Sequence, residues 1–235
     1  MKRVTLAILL LTLVGAMAAV PAYATTFRAA GDFSSTSNPN GPWSYDVAGS
    51  LLTQTASNSV ANFWWNGGSE PNSAVVGEGT TAGTAAGTAS FETIVLPSGY
   101  LVLDPEANAD VSVVFTATTA GTYSISGNFL GVDTSELSHL VEILDDGTVV
   151  FSGTIASYNQ SDPFNLTETL AAGDTISFDS DTGSSWGNLS TGLDATVSND
   201  ATVTPEPSSF LLLGTGLLGL AGVLSRKFAQ SQTEA

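Results

Sequence analysis

The sequence predicts an all-β fold for residues 25–202, an antiparallel β-sandwich of the jelly-roll kind, flanked by an N-terminal signal peptide and a single C-terminal transmembrane helix. Three observations carry this. Short β-branched, aromatic or alternating runs follow one another, separated by clusters of Gly, Pro, Asn and Asp, as strands joined by turns require. Outside the two ends, no stretch sustains the 3.6-residue apolar period of a core-packing helix. Asp145-Asp146-Gly147 stands between two apolar runs, where glycine supplies the positive φ of a tight hairpin. Many short strands without helices build a core by laying one sheet on another.

Each element follows in chain order. Lys2 and Arg3 form a basic start, residues 4–14 an apolar core, and Ala22-Tyr23-Ala24 the small-x-small pattern at which signal peptidase cuts, so the mature chain is expected to begin at Thr25. Strands are expected at 24–33, 43–47, 60–65, 90–95, 100–103, 111–117 and 121–129, then at 140–144, 148–156, 162–170, 174–178 and 192–198. Trp43 and Tyr45 share one strand face and belong inside, whereas adjacent Trp64 and Trp65 must point to opposite faces. Residues 77–90, made mostly of Gly, Ala and Thr, read as a flexible loop. About 180 residues suffice for one domain with a sizeable core.

The C-terminal end has its own logic. Pro205-Glu206-Pro207 is followed by an uncharged apolar run over 208–225; as a helix it would reach about 27 Å, close to the hydrocarbon thickness of a bilayer. Arg226 and Lys227 come next, which the positive-inside rule places on the cytoplasmic side with the 229–235 tail, leaving everything before Thr204 outside. The two prolines keep the segment extended beside the membrane, open to a processing enzyme.

Pro205-Glu206-Pro207, the leucine run punctuated by Gly214, Gly216, Gly219 and Gly222, and the pair Arg226-Lys227 together resemble a PEP-CTERM protein-sorting signal, a segment also labelled an ice-binding protein C-terminal domain. The resemblance covers about residues 203–228. It implies a Gram-negative bacterium that makes extracellular polysaccharide, and an exosortase, a membrane transpeptidase that cuts near Pro-Glu-Pro and passes the protein from the inner membrane to the cell surface or biofilm matrix. Residues 33–45, 115–129, 171–178 and 190–197 are similar to the carbohydrate-binding-like β-sandwich that such proteins often carry.

Charge narrows the partners. Between Thr25 and Val203 stand twenty Asp and Glu against the single Arg28, a polarity that excludes nucleic acid and makes cations the natural counter-species. The chain has no cysteine, so stability must come from core burial, with structural calcium as a conceivable aid. Candidate calcium ligands are Asp32 and Asp194, where first and last strands of related lectin-like sandwiches are stapled by a metal, and the loop acids Asp133 and Glu136, Asp179 and Asp181.

Sugar binding needs aromatic faces to stack on pyranose rings and amides to bond hydroxyls. Trp65, Tyr158 and Trp186, with Asn188, are the candidates; Trp186 stands in the polar stretch 182–188. His139 is the sole histidine and reads as a half-exposed strand residue, so no catalytic triad is expected. Ice binding would need a flat threonine array, and Thr81, Thr84 and Thr88 are irregularly spaced. The expected function is that of a non-enzymatic surface or matrix protein associated with extracellular polysaccharide; the alternatives are an adhesin or scaffold without glycan binding, and a secreted glycosidase.

Overall fold

Alternation sorts the strand residues between core and solvent, and two antiparallel sheets result. In the first, neighbours run in the order β14 (Ser161–Leu170), β11 (Gly121–Gly131), β16 (Thr191–Asn199), β9 (Leu101–Asp104), β6 (Val75–Gly79), β5 (Ala61–Trp65) and β4 (Gln54–Ser57), while β1 (Thr25–Arg28) also pairs with β16. The second runs β13 (Thr148–Ile155), β12 (His139–Asp145), β15 (Thr175–Ser180), β10 (Val111–Thr116), β2 (Trp43–Val47) and β3 (Ser50–Leu51). A separate hairpin joins β7 (Thr88–Phe91) to β8 (Ile94–Pro97). This computed structural model describes residues 24–57, 61–68, 73–79, 88–91, 93–182, 187–199, 214–219 and 221–222.

The chain divides into two compact units, Ala24–Asp200 and a second made of Met1–Tyr23 with Ala201–Ala235. Residues 214–219 and 221–222 of the second are helical. Among the described residues no helix is long and apolar enough to cross a membrane. Ala22, the Pro205-Glu206-Pro207 motif, most of the 208–225 run and the Arg226-Lys227 pair lie outside the described residues.

Aromatic rings tie the core together across the sheets. Phe115 lies 5.2 Å from both Phe27 and Trp43 and 5.8 Å from Tyr123. From Trp43 the contacts continue through Phe178 and Phe164 to Phe129 and Phe151. Trp43 and Tyr45 are both fully buried, and Trp64 is buried while Trp65 on the opposite face is half-buried, as alternation requires. The edge strand β14 carries Pro163 and the half-buried acids Asp162 and Glu168 on its core-facing side, devices that discourage another chain from adding to the ladder.

Asn38 fastens the approach to β2. Its Nδ2 donates to Tyr45 O and Leu52 O at 2.8 and 2.9 Å, and its Oδ1 accepts from Tyr45 N at 2.9 Å. Asn38→Ala should therefore cost about 1–2 kcal/mol in a urea titration; an unchanged midpoint would show that water replaces all three bonds.

The structure departs from expectation in three places. First, β3, β4 and β6 were not legible as strands, and 90–95 is split between β7 and β8. Gly77–Gly79 belongs to β6 and Thr88–Ser90 to β7, so the 77–90 segment is not loop throughout. Gly77 is needed there because a Cβ at that position would lie 2.8 Å from Phe63 Cβ on the neighbouring strand, and close approach is one reason for glycine inside strands. Second, β1 stops at Arg28 because a turn forms: Asp32 N donates to Arg28 O, and Asp32 Oδ2 accepts from Arg28 N. Third, His139 is 3 % exposed rather than half-exposed.

The registers define two ends of the sandwich. Thr25 pairs with Asn199, so the described domain begins and finishes at the same end. At the other, distal end, Thr191 pairs with Leu103 and Gly131, and Ser180 pairs with Val111 and Val141. Residues 105–110, 132–138, 156–160, 181–182 and 187–190 all belong to this distal end.

Candidate functional site

Five of the six buried polar residues among those described, Asp133, His139, Ser180, Ser190 and Thr191, gather at the distal end. The short connections put them there, since β9, β11, β13 and β15 all finish at this end and β10, β12, β14 and β16 start at it. His139 opens β12 and faces Thr191, which opens β16: Nε2 lies 2.6 Å from Thr191 Oγ1. Nδ1 is 3.0 Å from Leu137 O, and Thr191 Oγ1 is 3.1 Å from Ser180 Oγ. A carbonyl can only accept, so Nδ1 carries the proton and Nε2 accepts from the threonine, a tautomer inferred from the network.

Glu136 completes the group. Its Oε2 accepts from Asp133 N at 2.9 Å, while Oε1 lies 3.6 Å from His139 Nδ1 and has no hydrogen-bond partner. Its side chain is wholly buried. Burial, helped by the nearby Asp133 and Asp104 carboxylates, pushes the Glu136 carboxyl up to about 8, whereas burial moves His139 down. At neutral pH the two are thus a contact between uncharged groups, despite their ion-pair distance.

Hydroxyl, imidazole and carboxyl stand in the order of a hydrolytic triad, yet Thr191, Ser180 and His139 are 0 to 3 % exposed. A nucleophile must touch its substrate, so this relay joins the two sheets.

The more exposed groups lie around it. Asp110, just before β10, and Asp181, just after β15, bond to one another, and burial together with this contact pushes Asp110 up to about 6. Thr182 N donates to Asp110 Oδ1 and Thr182 Oγ1 to Asp181 Oδ1. Leu137 N donates to Asn188 O, and Asn159 N to Gly131 O, so the loops carrying Asn188 and Tyr158 are fixed to the same end. Three of the four exposed large hydrophobics of the described domain, Leu51, Leu137 and Tyr158, also lie here.

The sequence candidates divide accordingly. Asp133, Glu136, Asp181, Tyr158 and Asn188 come together at the distal end, and Trp186 lies outside the described residues. Trp65 is at the distal end of β5, but β9 and β6 separate it from β16. Asp179 is within β15 rather than in a loop; it accepts from Ser177 Oγ and sits in register with Ser112 and Glu142. Asp32 Oδ2 also accepts from Trp43 Nε1, whereas Asp194 is exposed opposite Asn128. First and last strands do pair, while the two acids face different neighbours, Arg28 and Trp43 for Asp32 and Asn128 for Asp194.

Asp133 spends both carboxylate oxygens on the protein's own donors, Ser135 N and Thr93 Oγ1. Among the described residues no three acid or histidine side chains are grouped to hold a metal. Sequence reasoning missed Asp104, Asp110, Ser180 and Thr191. Asp104 and Asp110 bracket one short loop between strands, a signal that could have been read.

At the other end of the chain the decisive likeness is one of sequence. Residues 203–227 match the PEP-CTERM protein-sorting motif. The motif covers a small part of the chain and marks it for export and membrane-anchored sorting. No curated protein sequence matches the chain. Among solved structures, a GH26-CBM35 β-(1,4)-mannanase from Podospora anserina is similar at 13 % identity and TM-score 0.35; the match covers 79 % of this chain and spans 29 % of the mannanase. A family 35 carbohydrate-binding module from Clostridium thermocellum is similar at 11 % identity and TM-score 0.32, covering 75 % of this chain and 98 % of the module. A CBM36 module in complex with calcium and xylotriose is similar at 19 % identity and TM-score 0.28, covering 49 % and 88 %. Likeness this distant carries nothing about ligand or activity.

Proposed function

We propose that this is a non-enzymatic surface protein, anchored at the inner membrane, sorted by an exosortase through Pro205-Glu206-Pro207 and Arg226-Lys227 after signal peptidase has cut between Ala24 and Thr25, and associated with extracellular polysaccharide through its distal end. The observation that supports it is that Leu137 and Tyr158, both exposed, lie at the end away from Thr25 and Asn199, together with the loops that carry Asn159 and Asn188. Apolar faces with a few polar groups around them suit sugar rings. The sealed histidine favours binding over hydrolysis.

The test is retention of the full chain, purified in detergent, on extracellular polysaccharide from the producing organism. Tyr158→Ala and Trp186→Ala should each weaken retention about three- to tenfold, and Trp65→Ala, away from this group, should change it less. Retention indifferent to all three would move the reading to a scaffold that contacts proteins.

Calcium belongs to this reading as a stabilising counter-ion at Asp32 and Asp194. Asp32 closes the turn after β1, and Asp194 precedes Ala195, whose carbonyl accepts from Ala29 N. Calcium should then raise the melting temperature of the wild type and leave Asp194→Ala unaffected. Identical melting with calcium and with chelator would remove the metal from the reading.

A further inference from the structure

We infer that Asn66 is a site of spontaneous covalent modification, where the fold turns the side-chain amide onto the nitrogen of Gly67 and so converts the asparagine to aspartate or isoaspartate. This holds whatever the distal end binds. The chain contains two Asn-Gly pairs, Asn40-Gly41 and Asn66-Gly67. In both, a following residue without Cβ leaves its nitrogen unhindered. Gly41 and Gly67 are both exposed, and both sit at positive φ, 57° and 83°. Access to water therefore does not separate the two pairs; the hold on each asparagine side chain does.

Asn66 directly follows β5. Its Oδ1 accepts from Gly68 N at 3.2 Å, an Asx turn that folds the side chain back over Gly67. The same N–H polarises the carbonyl that is to be attacked. Nδ2, the nitrogen that must leave, donates to Glu106 Oε2 at 2.5 Å, an acceptor that favours this nitrogen as it gains a proton. Asn40 is held the other way. Its Nδ2 donates to Asp32 O at 2.8 Å, drawing the side chain toward the turn after β1, and its backbone N and O both pair with Trp43.

The step needs only water. Gly67 N gives its proton to solvent and bonds to Asn66 Cγ; the Cγ–Nδ2 bond breaks, and the nitrogen takes a proton from solvent and departs as ammonia. Water then adds to either carbonyl of the succinimide and opens it, with nothing oxidised or reduced. The fold cannot shield Asn66 by enlarging its neighbour, because a Cβ on Gly67 would lie 2.2 Å from Gln54 Nε2 on β4. The product, in turn, cannot keep the contact with Glu106. A carboxylate has no hydrogen to donate, and it sets like charge against Glu106 in a chain already at −17. The 105–110 loop thereby loses its tie to the end of β5.

The experiment ages the full chain in detergent, folded or unfolded in guanidinium, in warm and mildly alkaline buffer. Peptic fragments, which need no Lys or Arg for cleavage, are weighed and labelled by isoaspartyl methyltransferase. In the folded chain Asn66 should convert at least about tenfold faster than Asn40, and in guanidinium the two should convert at similar rates. Equal rates in the folded chain would mean that the dipeptide alone decides and would overturn the inference. So would an intact Asn66 in the folded chain beside a converted one in guanidinium.

A second measurement reads the consequence. Asn66→Asp should melt about 2–4 °C below wild type, and adding Glu106→Gln, which restores a donor to the contact, should recover most of this. An Asn66→Asp chain that melts with wild type would overturn the loss of the loop's tie.

Discussion

Phe115→Ala should cost about 3–5 kcal/mol of folding stability, the range for removing a fully buried aromatic side chain. Phe115 is 0 % exposed and is the ring that joins Phe27 on β1, Trp43 on β2 and Tyr123 on β11. Its loss opens a cavity where both sheets meet and where neighbouring backbones are held by ladder pairing, so the walls cannot collapse inward. Against a typical stability of about 5–15 kcal/mol this is a large fraction. Urea unfolding followed by tryptophan fluorescence reads it, with Trp43 beside the cavity. Val149→Ala, at a side chain 47 % exposed, serves as the comparison and should fall within about 0.5 kcal/mol of wild type. Similar midpoints for the two variants would show that the aromatic chain does not hold the sheets together.

Acidification from pH 8 to pH 6.5 should stabilise the domain, against the usual behaviour of acidic proteins whose carboxylates are paired with cations. Glu136 has its folded value raised to about 8 from 4.5. Between these values the folded chain holds a proton that the unfolded chain has released, so stability falls as pH rises through the window. Asp110, raised to about 6, acts in the same direction from 3.8 upward, discounted because it is exposed. Burial raises Asp46 and Asp179 as well. His139 opposes them: its folded value lies below 6.5, so the unfolded chain takes up a proton before the folded one, a cost that sets in as pH approaches 6.5 and grows below it.

From pH 8 to 6.5 the acids outweigh the histidine, with a slope from Glu136 of up to about 1.4 kcal/mol per pH unit. Glu136→Gln should remove most of this slope and be more stable than wild type at pH 8. Melting temperatures across the window settle it; a flat wild-type profile, or the same slope in both proteins, would mean that Glu136 is ionised in the folded state.

How much was legible follows from how far each interaction reaches along the chain. β2 was legible at its observed bounds, Trp43–Val47, because alternating aromatic residues signal a strand by themselves. The hairpin at Asp146 and Gly147, both at positive φ, is equally local. β4 was not legible, since Gln54–Ser57 is polar and has one strand partner, at the sheet edge. β6 was hidden by its glycines, of which Gly77 has its reason on β5, at Phe63.

The site divides along the same line. Asp133 and Glu136 are three residues apart and their contact was readable from one loop. Thr191 is 52 positions from His139, and the Asp110–Asp181 pair is formed by loops whose register depends on every strand between them.

By itself, therefore, the sequence determined the all-β class and most of its strands, the excess of negative charge and the sorting motif over 203–227, all of which are properties of short windows or of composition. Only the tertiary structure decided that His139 is sealed, that Asp110 meets Asp181, and that Tyr158, Leu137 and Asn188 share the end opposite Thr25 and Asn199. Burial and carboxyl contact depend on which strands become neighbours, and strand pairing joins residues whose separation in sequence carries no local signal.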